Sequence, residues 1–329
     1  MKKNWILAIL MAGVLTATAF SGCIGTEERK EEEPVKEQEI ISEPLEPNDV
    51  LFTVKGNKAV LVIGGADKES NNARYWNDLI WMYDILIKKY NYSKENVCVL
   101  YADGENVSED NCNDYESAVE CALPINYPAK KKSLKEATDK LAANLKQDEQ
   151  LYIWTNDHGT LGDVNIGHIP PNSAALCLWE ENINDYEFAG GEYFGKVKNY
   201  SVRIIFMKQC FSGGFIDDLS AEKTIICTAC TDLAVSWGGA GSGGYPYGVF
   251  AFYFQAALNQ SYPDGTPAEG ADANGDGRVS IKEAFDYAFQ KEMEYGEGLT
   301  AVEVPQYDDN ANKIGNDPLD GDLGSRTYL

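Results

Sequence analysis

The sequence predicts an α/β domain built on a mostly parallel sheet, and two observations carry that reading. Short, continuous apolar runs alternate with stretches of helical periodicity. The runs lack the apolar–polar alternation of a half-exposed strand, as expected for strands covered on both faces. The length, 329 residues, suits one large domain with appendages.

Taken in order, "KAVLVIGGA" (58–66) reads as the first strand, running into glycines. "RYWNDLIWMYDILIKKY" (74–90) has Leu79, Met82, Tyr83, Leu86, Ile87 and Tyr90 at helical spacing. "NVCVLYAD" (96–103) is a second strand. Ser133 and Glu136 have the spacing of a capping box, predicting a helix from there to about Lys146. "QLYIWTNDHG" (150–159), "VRIIFMKQC" (202–210) and "KTIICTAC" (223–230) are the third, fourth and fifth strands. "YGVFAFYFQAALN" (247–259) is a strongly apolar helix. No internal repeat is evident.

The first 50 residues read differently. Lys2 and Lys3 precede the apolar run "WILAILMAGVLTATAF" and then "SGC", the layout of an exported precursor. "FSGC" resembles a lipoprotein cleavage box, which makes Cys23 the lipidated residue and 1–23 the signal segment. An uncleaved membrane anchor and plain secretion are the alternatives, and all three place the domain outside the cytoplasm. Residues 24–50 hold ten acidic and three basic side chains with several prolines, a solvated tether with too little apolar surface to fold. The domain is therefore expected over 51–329.

The net charge is −24, which argues against nucleic acid as a partner because phosphates are repelled. Residues 264–329 hold fifteen acidic and five basic side chains, a concentration that points to cation binding. "IGGADK" lacks the Lys-Ser/Thr of a phosphate-binding loop. Of eight cysteines, Cys112 and Cys121 lie in a polar stretch, where an oxidising compartment would allow a local disulfide. Cys98, Cys177, Cys227 and Cys230 sit in apolar surroundings and read as buried thiols. One CxxC pair with only two histidines in the chain does not make a zinc site.

Cys210 remains. Functional residues of parallel sheets stand beyond the carboxyl ends of the strands. Cys210 ends the fourth strand and His158 ends the third, so a thiol and an imidazole are expected to face each other across one rim. That pairing suits a nucleophile and its base. Gly159, Gly213 and Gly214 follow the two residues and are expected to let main-chain N–H groups approach a substrate carbonyl. The amides of Gly159 and Cys210 are the candidate oxyanion donors. The other histidine, His168, lies in "GHIPP" and reads as a loop residue.

These stretches resemble the legumain-like cysteine peptidases, relatives of the caspases, gingipains and clostripain. "LYIWTNDHG" is similar to that family's histidine strand, with an acidic residue before His. "IIFMKQCFSGGF" is similar to its cysteine strand, including Ser212 and Gly213. "KAVLVIGGADKESNNARYWNDLIWMYDIL" is similar to its first strand and helix. The resemblance covers roughly 55–260. It implies a caspase-like three-layer sandwich and a cysteine-type endopeptidase acting on proteins or peptides through an acyl-enzyme. It also implies a specificity pocket at Arg74. The sequence departs from the family at Lys208-Gln209, where Glu-Ala is usual. Asp232 is then the candidate acidic partner of Arg74, in a pocket accepting Asn or Asp at the cleaved position. A surface transpeptidase, or an inactive calcium-binding surface protein on the same scaffold, are the rival readings.

"DANGDGRVSIKE" (272–283) is the most specific local motif. Asp272, Asn274 and Asp276 occupy positions 1, 3 and 5 of a twelve-residue EF-hand-like loop. Gly277 stands at 6, the Arg278 carbonyl at 7, Ser280 at 9 and the Glu283 carboxylate at 12. Val279 is the inward apolar residue, and Ile281, Ala284, Phe285, Ala288 and Phe289 form one face of an exit helix. A structural Ca2+ is the one cofactor expected; no organic cofactor is. "YDDNANKIGND" (307–317) spaces Asp308, Asn310 and Asn312 alternately but has no closing Glu.

Overall fold

The apolar runs 58–63, 97–101, 151–155, 203–207 and 224–228 form one sheet in the computed structural model, which describes residues 51–162, 173–242, 244–296 and 303–329. Cys23, the 24–50 tether and His168 lie outside the described residues. The sheet has six strands: β1 (Lys58–Ile63), β2 (Val97–Tyr101), β3 (Leu151–Thr155), β7 (Arg203–Met207), β8 (Thr224–Thr228) and β11 (Gln306–Asp308). Their spatial order is β11-β8-β7-β3-β1-β2. All neighbours are parallel except β11, which runs antiparallel on the β8 edge.

Both faces of the sheet are buried, which explains the unbroken apolar runs. Ala59, Leu61, Ile63, Tyr152, Trp154, Ile204 and Phe206 face one core. That core is closed by α1 (Ala73–Asp84), α5 (Val249–Asn259) and α6 (Ile281–Tyr295). Val60, Val62, Leu151, Ile153, Ile205 and Met207 face the other, beneath α2 (Lys131–Asn144), α3 (Asp185–Phe188) and α4 (Ile216–Leu219). The result is the helix–sheet–helix sandwich of a caspase-like fold. In the first core the Phe206 ring lies between Trp154 and Phe250, nearly parallel to each, with interplanar angles of 14° and 4°. Two small antiparallel sheets stand apart from the main one. One is β4 (Gly159–Leu161), β5 (Ala174–Leu178) and β6 (Glu181–Asn184); the other is the hairpin β9 (Gly238–Ser242) and β10 (Tyr245–Gly248).

Two local expectations are corrected. Helix α2 starts at Lys131, and Ser133 lies buried inside its first turn instead of capping it. The Lys131 N–H donates to the Glu181 carboxylate on β6 (2.7 Å), so a distant side chain satisfies the helix start. Cys112 and Cys121 are free thiols. The Cys112 thiol donates to Asp114 and the Cys121 thiol to the Ala122 carbonyl. Among the described residues no helix is long and apolar enough to cross a membrane.

The chain enters the fold through a buried ion pair. Lys58 and Glu149 side chains are 1% and 4% exposed and 3.5 Å apart. Lys58 Nζ also donates to the carbonyls of Val54 and Gly56, while Glu149 accepts the N–H groups of Gly56 and Lys146. The pair thus holds residues 54–57 against the loop that leads into β3. Glu149→Ala leaves an uncompensated buried ammonium and should lower unfolding free energy by about 3–5 kcal/mol. The paired change Lys58→Met with Glu149→Leu should lower it less, both read by urea denaturation. Equal losses in the two variants would mean that the carboxylate acts only as an acceptor for the loop amides.

Candidate active site

β3 and β7 are adjacent and in register, with Thr155 opposite Met207. His158 and Cys210 each follow three residues beyond that last pair, so they leave the sheet side by side on one rim. The chain closes further there. A Cβ on Gly159 would stand 2.1 Å from the Cys210 carbonyl oxygen and 3.0 Å from the Gln209 side chain. Only glycine permits that approach, so the His158–Gly159 backbone rests directly on the backbone of Cys210.

The imidazole is fixed through Nε2. His158 Nε2 lies 2.9 Å from the Ser70 carbonyl. A carbonyl only accepts, so Nε2 carries the proton and Nδ1 is the unprotonated nitrogen of the neutral ring. The Asn72 side chain donates to the same carbonyl at 2.6 Å. Tyr75 meets the imidazole edge-on, with centroids 5.4 Å apart. Burial holds the His158 pKa below 6.5, with the charges of Arg74 and Lys208 adding to the effect.

Asp157 does not orient the ring. Its Oδ2 accepts the N–H groups of Gly64 and Gly65, and its Oδ1 accepts the His158 N–H. It therefore pins the end of β1 to the histidine turn. Burial pushes its carboxyl up to about 8, against the pull of those three amides.

The cysteine turn is equally constrained. The Cys210 sulfur is half-buried and accepts the Ser236 N–H at 3.2 Å, with Ser236 Oγ at 3.8 Å. Phe211 adopts the left-handed region at φ 60° and donates its N–H to the Ala234 carbonyl. Ser212 Oγ accepts the Cys230 N–H and touches the Cys230 sulfur. The expectation that Gly213 leaves room for substrate is corrected. A Cβ there would lie 2.7–2.9 Å from Cys230 O, Thr231 Cα and Asp232 N, so the space serves the neighbouring backbone.

Lys208 and Gln209, the departures from the family pattern, are both buried. Lys208 Nζ donates to the Trp237 carbonyl (2.6 Å) and to Ser236 Oγ (3.3 Å). It holds from beneath the segment that touches the Cys210 sulfur. Burial lowers its pKa, opposed chiefly by Glu303, whose own pKa is raised by burial. Glu303 accepts the Trp237 N–H. Asp78 shares this layer: it accepts from Gly248 N–H and the Asn156 side chain, and burial lifts it to about 7. Gln209 accepts from Thr155 Oγ at 2.7 Å, tying the ends of β3 and β7 together again.

Arg74 is half-buried at the start of α1. Its guanidinium lies 4.4 Å over the Tyr75 ring and donates to Tyr75 Oη, while its Nε has no partner. Gly238 lies against its side chain. Asp232 stands elsewhere, in a cleft of about 320 Å3 with Gly213, Asp217, Thr231 and Lys313, and Arg74 does not line that cleft. A cavity of about 720 Å3 between α1 and α5 contains none of these residues.

In the acidic loop, Asp272 accepts the N–H groups of Gly275, Asp276 and Gly277. Asn274 accepts that of Asp276, and Asp276 that of Arg278. The Tyr328 hydroxyl donates to Asp276 and the Arg278 guanidinium covers the Tyr328 ring. Glu283 caps α6 through Ser280 and also takes the Asn274 N–H. Val279 is buried, as expected. Among the described residues no three His, Cys, Asp or Glu side chains are grouped to hold a metal ion.

Ser70, Asn72, Ser236 and Glu303 carried no signal in the sequence, and the supporting role of Lys208 showed only as a lysine directly after an apolar strand end.

A thiol and an imidazole leaving neighbouring strands of a caspase-like sandwich define the class, a cysteine hydrolase scaffold. The family model described as the peptidase C13 family matches residues 58–262. The chain belongs to that family, cysteine peptidases whose substrates are proteins or peptides. No curated protein matches the chain.

His158 gives a pH prediction. Its folded pKa lies below 6.5 while the unfolded value is near 6.5. The unfolded state therefore binds more protons in that window. The group's contribution to stability is complete above the unfolded value and declines as pH falls towards the folded one. An NMR titration of the free protein, assigned with His158→Gln, should give a midpoint below 6.5. A midpoint above it would mean that the ring carries charge against a thiolate.

Proposed function

We propose that the chain is an exported cysteine endopeptidase in which Cys210 is the nucleophile and His158 the base. The observation that carries this is the in-register end of β3 and β7, with Gly159 packed on the Cys210 carbonyl. His158 Nδ1 takes the thiol proton as the sulfur bonds to the scissile carbonyl carbon. The Gly159 and Cys210 N–H groups hold the oxyanion; losing one such donor typically costs about 10²–10³ in rate. The amine leaves with the proton from Nδ1, and water then cleaves the thioester, returning the thiol.

Arg74, half-buried with Nε unpartnered, takes the side chain before the cut, with Asn or Asp as the fitting residues. Asp232, in its separate cleft, contacts the substrate only if that cleft receives another residue. In this reading Cys23 is lipidated and the 24–50 tether holds the domain at the extracytoplasmic face of the cell membrane.

A thiol-directed acyl probe should label the wild-type protein, and Cys210→Ala should abolish labelling with its circular dichroism unchanged. Labelling that survives the substitution would remove Cys210 from the mechanism. Labelling absent from the wild type would favour an inactive binding protein. Products formed with and without an added amine would separate hydrolysis from transpeptidation.

We further propose that Asp272, Asn274, Asp276, the Arg278 carbonyl and Glu283 bind a structural Ca2+, with Glu283 swinging from its capping position to close the shell. Positive φ at Gly275 and Gly277 (75° and 85°) supports this, because the loop already has a tight turn. At a hundredfold excess over its Kd, Ca2+ should stabilise the protein by about 2.7 kcal/mol. Asp272→Ala should remove most of that gain. A melting temperature identical in Ca2+ and in chelator would end this assignment.

A further inference from the structure

The segment Asp308–Ile314 repeats the backbone of the loop at 272–278. At the third and fifth positions the side-chain oxygens accept N–H groups two residues on. In the first loop these are Asn274 from Asp276 and Asp276 from Arg278, both 2.8 Å. In the second they are Asn310 from Asn312 (2.9 Å) and Asn312 from Ile314 (2.8 Å). Positive φ recurs at the fourth and sixth positions: Gly275 and Gly277 in one, Ala311 (63°) and Lys313 (69°) in the other. In the second loop the left-handed residues are not glycines, so the surroundings impose the shape.

Loop shape alone names no ligand. Asp308 does. It is wholly buried (0% exposed), and its Oδ1 has no hydrogen-bond partner. Its Oδ2 accepts from Ser220 Oγ at 2.6 Å, and the same hydroxyl accepts the Lys313 N–H at 3.2 Å. The carboxyl is therefore held against the inside of the loop with one oxygen unused. Its chain neighbour Asp309 is buried as well. A buried anion beside other anions calls for a cation.

We propose that Asp308–Ile314 is a second divalent-cation site of calcium size. Its ligands are Asp308 Oδ1, the side-chain oxygens of Asn310 and Asn312, and the Ile314 carbonyl, with water completing the shell. Six to eight oxygen ligands at flexible angles suit Ca2+, whereas Mg2+ demands a stricter octahedron. With one carboxylate and no closing Glu, affinity falls in the weak class of about 10⁻⁴–10⁻³ M. The site reaches towards the chemistry. Ile314 and Gly315 line the cleft that also contains Gly213, three residues beyond Cys210. The inference does not rest on the peptidase reading.

The test is a Ca2+ titration of the full-length chain, followed by the backbone amide NMR signals of Ala311, Lys313 and Gly315. Gly275 and Gly277 report the first loop separately. The 311–315 signals should move saturably with a midpoint near 10⁻⁴–10⁻³ M, and Mg2+ at equal concentration should not reproduce the shift. In Asp308→Asn the midpoint should rise at least tenfold while the Gly277 response is unchanged. Asn312→Ala, at an exposed position, should weaken the same response without disturbing the core. Signals that stay still throughout the titration would overturn the proposal. So would a midpoint unchanged in both variants.

Discussion

Everything at the rim depends on one backbone contact: the Gly159 peptide lying on the carbonyl of Cys210. Parallel pairing fixes how far β3 and β7 extend, but it does not fix how two loops diverge after the last ladder bond. The contact does. With no side chain at 159, the two turns leave the sheet as a single layer, and Gln209 joins them again through Thr155. The thiol and the imidazole inherit their relation from main-chain geometry, which moves less than side-chain rotamers. Each is then held by a main-chain group. The histidine rests on the Ser70 carbonyl, and the cysteine rests against the Ser236 amide.

The layer beneath is charged, which is unusual in a core of stacked aromatic rings. Lys208, Asp78 and Glu303 are all buried there. A buried ammonium is costly unless paired and hydrogen-bonded. Here it is bonded to the Trp237 carbonyl and Ser236 hydroxyl and compensated mainly by Glu303. What this layer gives in return is position. Glu303 and Lys208 grip opposite polar groups of Trp237, its N–H and its carbonyl. The Ser236 amide is thereby carried to the sulfur. Lys208 is thus a support for the segment that touches the Cys210 sulfur, with its head group buried.

Much of this was legible in the sequence. Strands buried on both faces read as unbroken apolar runs, and the rule that function collects at strand ends singled out His158 and Cys210. What failed to show had its partner far along the chain. The capping box at Ser133 was locally sound, but Glu181 reached the helix start first. Gly213 read as space for substrate because nothing in the sequence says that Cys230–Asp232 passes against it. Glu303 had no signal, since its pairing with the 237 segment exists only in three dimensions. Cys112 and Cys121 looked like a pair because a polar setting and an oxidising compartment are conditions for a disulfide. Geometry decides, and each thiol has another partner.

The acidic C-terminal region shows why charge counts alone mislead. Its carboxylates act largely as acceptors for a backbone that has little ladder to bond to. Asp309 takes the N–H groups of Gly321 and Gly324 and the Tyr307 hydroxyl. Asp320 takes those of Asp309 and Asp317, and Asp317 takes that of Leu319. A loop-rich segment needs side-chain acceptors, and short acidic residues supply them. The cost is mutual repulsion: burial, with the charges of Asp308 and Asp309 adding, lifts Asp320 to about 6. The segment tolerates this because Tyr307 anchors it, packed 4.9 Å from Phe285 and closed over by Gly324. Asp308 differs from Asp309, Asp317 and Asp320 in keeping one buried oxygen without a hydrogen-bond partner. The negative charge of this region therefore divides by geometry into carboxylates that replace secondary structure and three, Glu292, Glu303 and Asp308, that each keep one buried oxygen unpartnered.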